Sequence, residues 1–104
     1  MIIREWRGRA AIEHADRYPQ HFRSVVLPEL RGVPGFAGAC LIRRTAGDRV
    51  EFMVLTRWES MRSVRAFAGA DAEKAVVEPG AVAALIDFDA QVRHYEVLED
   101  VSSP

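Results

Sequence analysis

Histidine and tryptophan are the side chains best suited to chemistry in this chain, and both are scarce: three His and two Trp in 104 residues. His94 shares one side of a strand-like segment with Phe88, Ala90 and Val92. There it reads either as a hydrogen-bonded core residue or as a general base or donor to a phenolic oxygen. An imidazole suits both catalytic roles because it titrates near neutral pH. His14, Tyr18 and His21 recur at i, i+4 and i+7, which is one stripe of a helix if the helix survives Pro19. The stripe either lines a pocket or packs through Tyr18 with both histidines half solvated. As a metal pair it lacks a carboxylate at fitting spacing, so no metal site is expected.

Trp6 and Trp58 offer flat faces, either to the core or to a polycyclic aromatic ligand whose oxygen an indole N–H would fix. Arg4 and Arg44 are either solvated strand-end charges or guanidinium groups at a pocket mouth, able to stabilise a phenolate or a reduced-oxygen anion. The single cysteine, Cys40, rules out an intrachain disulfide and reads as a small buried side chain.

Absent motifs narrow the chemistry further. There is no Gly-rich nucleotide loop, no Gly-x-Ser-x-Gly and no acidic cluster fit for a metal. No cofactor is expected, so an oxidation would draw its electrons from the substrate. Phenols, anthrones and quinols supply them once deprotonated. The protein would bind a flat molecule, take a proton and exclude water.

A net charge of -1 gives no bulk attraction for nucleic acid or anionic lipid. No apolar run is long enough to cross a bilayer. The opening Met-Ile-Ile-Arg-Glu-Trp-Arg carries charges where a signal peptide needs an apolar core, so a cytoplasmic location is expected.

The positioning elements follow from periodicity. Strands are expected at 2–8, Phe36 to Arg44, 49–58 and Phe88 to Leu98, with helices over about 11–30 and 60–68. Pro19 and Pro28 predict a bend or restart in the first helix. Ser60 suits an N-cap and Gly69 a helix end. Gly38 marks a bulge or a close contact in the second strand. The order β-α-β-β-α-β is the ferredoxin-like α+β pattern. It forms a single domain over 1–99, with 100–104 a frayed tail. The second strand is read as Phe36, Gly38, Cys40 and Ile42 on one side, with Ala37, Ala39 and Leu41 on the other. Strands two and three are largely apolar on both sides, which predicts a homodimer joined through the sheet faces.

Residues 1–99 resemble the antibiotic biosynthesis monooxygenase family of dimeric α+β barrels. The resemblance lies in Ile3-Arg4-Glu5-Trp6-Arg7-Gly8, Leu27-Pro28-Glu29-Leu30, Pro34-Gly35-Phe36, Val54-Leu55-Thr56-Arg57-Trp58-Glu59-Ser60, Phe67-Ala68-Gly69 and His94-Tyr95-Glu96-Val97. It implies a cofactor-independent monooxygenase of a small aromatic, anthrone or quinol. His94 would be the catalytic group, and Trp6, Trp58, Tyr18, His21, Arg4 and Arg44 would bind the substrate. The haem-degrading branch carries Asn, Trp and His at positions matching Trp6, Phe67 and Val77, and all three differ here. The rival readings are a non-catalytic ligand-binding or sensing dimer and a structural dimer domain.

Overall fold

Alternation in the long strands decides which face of the sheet is covered. The computed structural model describes residues 1–104. In chain order it forms β1 (Ile2–Ala11), a 3-10 turn (Ile12–His14), α1 (Arg17–His21), a π turn (Phe22–Val26), α2 (Leu27–Arg31), β2 (Phe36–Ala46) and β3 (Arg49–Trp58). There follow α3 (Met61–Ala68), α4 (Pro79–Ala84), β4 (Asp87–Phe88) and β5 (Arg93–Glu96). The sheet order is β2-β3-β1, and both β4 and β5 pair antiparallel with the far edge of β1. This is a ferredoxin-like α+β sheet.

Val50, Phe52, Val54, Thr56 and Trp58 of β3 are all buried under the helices, as period-2 alternation requires. Their partners Arg4, Trp6, Gly8 and Ala10 on β1 share that face. One core joins Phe52, Val50 and Val54 to Tyr18, Phe22, Ala81 and Ala84. A smaller one surrounds Trp58 with Leu30, Val64, Phe36 and Phe67.

Neither proline breaks the first helix. Pro19 sits in the first turn of α1, where its missing N–H costs nothing. Pro28 is accommodated by the π turn, in which the Leu27 N–H reaches back to the Phe22 carbonyl, and the backbone stays helical from His21 through Leu27. Residues 17–31 therefore form one continuous helical run, without the restart expected at the prolines.

Three other boundaries differ from expectation. β1 runs to Ala11, because its ladder with β3 continues to Ala11 opposite Arg49. A register shift between Phe36 and Gly38 turns Phe36 to the helix side, opposite Trp58, so it does not share a face with Cys40 and Ile42. Gly38 sits there at a φ of 156°, and a Cβ would have to displace the Arg57 guanidinium. The last strand is split. Between β4 and β5 the Asp89 carbonyl accepts from Trp6 Nε1 (2.9 Å), the Ala90 carbonyl from the Ala75 N–H, and the Val92 N–H donates to the Glu73 carbonyl. The Ala90 carbonyl and the Val92 N–H are lost to β1 because the 73–75 segment takes them.

α3 starts where Ser60 Oγ accepts from the Ser63 N–H and ends at Gly69, whose φ of 89° suits a residue without Cβ. On the far side of the sheet, Ile3, Cys40, Ile42, Met53, Leu55 and Tyr95 share a face that no element of this chain covers. Cys40 is exposed on it. No helix is long and apolar enough to cross a membrane.

Trp58 is 0% exposed, stacks on Phe67 at 5.3 Å and meets Phe36 edge-on at 5.5 Å. Trp58→Ala should therefore cost about 3–5 kcal/mol, read as a lower urea midpoint at unchanged slope.

Candidate functional site

The fourth-strand break leaves the segment between α3 and α4 lying across the helix side of the sheet. A cavity opens beneath it. Its floor is Arg4, Trp6, Val54 and Thr56 from β1 and β3, and one wall is Tyr18, His21, Val26 and Glu29 from the helical rod. Its roof is Val76, Val77, Glu78 and Ala81, with Phe67 and Val92 also lining it. The free space is about 60 Å³, room for a few waters, whereas sites for drug-sized ligands run to roughly 300–1,000 Å³. A flat aromatic guest needs more room than this.

Arg4 holds that roof. It is 5% exposed in the middle of the floor. Its Nη1 donates to the Ala72 carbonyl at 2.6 Å and to His94 Nε2 at 2.9 Å, and its Nη2 donates to the Lys74 carbonyl at 2.9 Å. Its guanidinium carbon stands 5.8 Å from the centre of the Phe67 ring. No carboxylate pairs with it, and burial lowers its pKa to about 10. It stays cationic at neutral pH. Three of the five guanidinium N–H groups are thus engaged, which leaves two donors for a guest.

His94 is placed beside Arg4 and outside the cavity lining. A guanidinium only donates, so His94 Nε2 is the acceptor and the ring proton sits on Nδ1. Burial lowers the His94 pKa first, the charge of Arg4 next and Arg65 last, with Glu73 opposing. The lone pair that a general base would use is committed to Arg4.

The other sequence candidates divide. Arg4, Trp6, Tyr18 and His21 are brought together around the cavity. Trp6 and Tyr18 have ring centres 5.6 Å apart, tilted by 42°. The Trp6 N–H is engaged by the Asp89 carbonyl, so this indole offers its face alone. Trp58 lies deeper, sealed in the second core, with Nε1 donating to Thr56 Oγ1 at 2.8 Å. Arg44 lies toward the far end of β2 on the uncovered face, paired with Glu51 at 3.3 Å. Cavity and Arg44 do not meet. No group of His, Cys, Asp and Glu is arranged to hold a metal ion.

Two polar lining residues carried no signal in the sequence: Glu29 and Glu78. They come from the rod and the roof, far apart in the chain. Glu78 is held above the usual carboxylate range by burial, then by the proximity and charge of Glu29, while His21 pulls the other way. The Tyr18 hydroxyl is pushed up by burial and then by Glu78. The cavity thus has an apolar body, a cation in its floor and an acidic pair with an imidazole at one side.

Comparison with known proteins follows the same line. The family model for antibiotic biosynthesis monooxygenases matches residues 1–79. No curated protein sequence matches the chain. A candidate antibiotic biosynthesis monooxygenase of Deinococcus radiodurans is 17% identical, with 100% of this chain and 99% of that one covered at a TM-score of 0.65. The haem-degrading protein of Mycobacterium tuberculosis, solved with two haems in its active site, is 21% identical, with 98% and 100% covered at 0.63. A monooxygenase of Streptomyces coelicolor, solved in complex with nanaomycin D, is 16% identical, with 99% and 91% covered at 0.61. Identities this low speak for the fold. The match over residues 1–79 speaks for the family: the chain belongs to the antibiotic biosynthesis monooxygenases.

Proposed function

We propose that this protein is a cofactor-independent monooxygenase of a flat aromatic substrate of the anthrone or quinol class. The observation that carries the reading is the cavity itself: aromatic faces from Trp6, Tyr18 and Phe67, with the spare donors of Arg4 in the floor. An anthrone CH₂ is acidic because its carbanion is an aromatic phenolate. Loss of a proton places negative charge on the phenolic oxygen, and a fixed guanidinium lowers the energy of that charge. The anion gives electrons to O₂ and a carbon–oxygen bond forms. Loss of the second C–H proton then breaks the O–O bond. The balance is R₂CH₂ + O₂ → R₂C=O + H₂O. The carbon gives up four electrons and O₂ takes up four, one oxygen atom going to the ketone and one to water.

The nanaomycin D complex of a structural neighbour supports a polycyclic guest for this fold. Haem as the guest has less support. Trp6, Phe67 and Val77 line the cavity where haem degraders carry Asn, Trp and His, so the roof has no imidazole to serve as an axial ligand.

Turnover of anthrone under ¹⁸O₂, without added flavin, haem or metal, should put one labelled atom in the product ketone. Trp6→Ala should lower kcat/KM at least about tenfold, the loss of one stacked face worth roughly 1.4 kcal/mol. No oxygen uptake with any anthrone or quinol would sink the proposal.

The uncovered sheet face supports a homodimer. Ile42 and Tyr95 are 44% and 46% exposed on it, in a stripe with Ile3, Met53 and Leu55. A second copy is the simplest cover for such a patch. Sedimentation equilibrium at micromolar concentration should give twice the chain mass, and Ile42→Glu should give the monomer. A wild-type mass of 11.7 kDa would contradict the dimer.

A further inference from the structure

His21 Nε2 is the one buried side-chain nitrogen or oxygen without a hydrogen-bond partner in the chain. Buried polar atoms are nearly always satisfied, so an orphan in a cavity wall marks a place where something is to be bound. The ring is also held in place. A Cβ on Gly80 would stand 2.7 Å from His21 Nδ1 and 2.8 Å from Cε1, so the imidazole fits against the first turn of α4 only because residue 80 is glycine. The charged and titratable groups around the same cavity are Tyr18 and Glu29 from the rod, Glu78 from the roof and Arg4 from β1.

We infer that His21 is the catalytic base of this cavity, taking the proton of an acidic phenol or anthrone at Nε2, with Glu78 and Glu29 as positioning residues that balance the resulting imidazolium. This deepens the oxygenase reading and rests on it. The substrate O–H or C–H bond breaks as the Nε2–H bond forms, and the electron pair stays on the substrate, facing Arg4. Cation in the floor and base in the wall thus serve opposite ends of one ionisation. After O₂ has added, His21 returns that proton to the outer peroxide oxygen, takes the second C–H proton as the O–O bond breaks, and gives it to the departing hydroxide, which leaves as water. The Glu78 carboxyl, raised by burial and by Glu29, is lowered by charge on His21, which fits its place beside an imidazolium. In this arrangement His94 is not a base. It keeps Arg4 in place.

Two variants test the inference. His21→Asn removes the base. Gly80→Ala keeps the imidazole but drives it from its seat, and it favours the α4 helix by propensity, so folding survives. The probe is 4-nitrophenol, whose yellow phenolate reports its own ionisation. Below the free phenol's midpoint, wild type should bind it as phenolate and both variants as the colourless phenol. Anthrone turnover should fall about 10²–10⁴-fold in both, with Glu78→Gln intermediate. Should His21→Asn fail to fold, Gly80→Ala decides. Undiminished phenolate in the variants, with wild-type turnover intact, overturns the role of His21 and leaves the oxygenase reading standing. Phenolate lost in the variants, with no oxygen uptake by wild type, supports the proton site and overturns the oxygenase reading. Absence of any shift in the Trp6 indole resonance on adding the phenol overturns both.

Discussion

One buried cation organises this domain. Arg4 lies in the central strand of the sheet with no carboxylate beside it, and it is satisfied by two main-chain carbonyls and an imidazole. Removing the partners of a buried charge costs far more than breaking a surface pair, because the desolvated group is left uncompensated. Arg4 therefore dictates where the 72–74 turn must lie. Once docked there, the segment takes the Ala90 carbonyl and the Val92 N–H away from β1 and splits the last strand into β4 and β5. The split in turn releases the Asp89 carbonyl to accept from Trp6 and fix that indole across the floor. Roof, strand break and aromatic floor are consequences of one guanidinium.

The same group links structure to chemistry. Its engaged donors hold the 72–74 segment, and two of its N–H groups are left over. In the proposed reading, a polycyclic ring entering the cavity of about 60 Å³ would displace the 75–84 segment against the tethers at Ala72 and Lys74. Closure over the substrate would then expel water and strengthen the electrostatic contacts inside.

Much of the frame was legible because it obeys simple periods. The Val50 to Trp58 alternation, the Ser60 cap and the β-α-β-β-α-β order follow from residue types alone. Arg4, Trp6, Tyr18 and His21 could be named as lining candidates because strand parity and helical spacing put them on facing sides. What was not legible depends on contacts between distant segments. Glu29 and Glu78 meet only through the fold, and each reads as an ordinary surface charge. His94 looks like a free base until Arg4 is seen to use its lone pair. Phe36 changes face through a bulge at Gly38, and Pro28 is absorbed by a π turn rather than ending the helix. The role of Trp58 hinged on depth, which alternation does not reveal: parity gave its side of the sheet, but Phe36 and Phe67 close over it.

The central claim is that Arg4 holds the roof, and amide hydrogen exchange tests it directly. In Arg4→Met, which keeps length and removes charge, the Ala75 and Val92 amides that bond to the Ala90 and Glu73 carbonyls should lose protection by about tenfold or more, since charge-assisted hydrogen bonds are each worth roughly 1.5–3 kcal/mol. The far end of the β2–β3 ladder, around Ala46 and Arg49, should keep its protection. Unchanged exchange at Ala75 and Val92, or an equal loss across the whole sheet, would contradict the account.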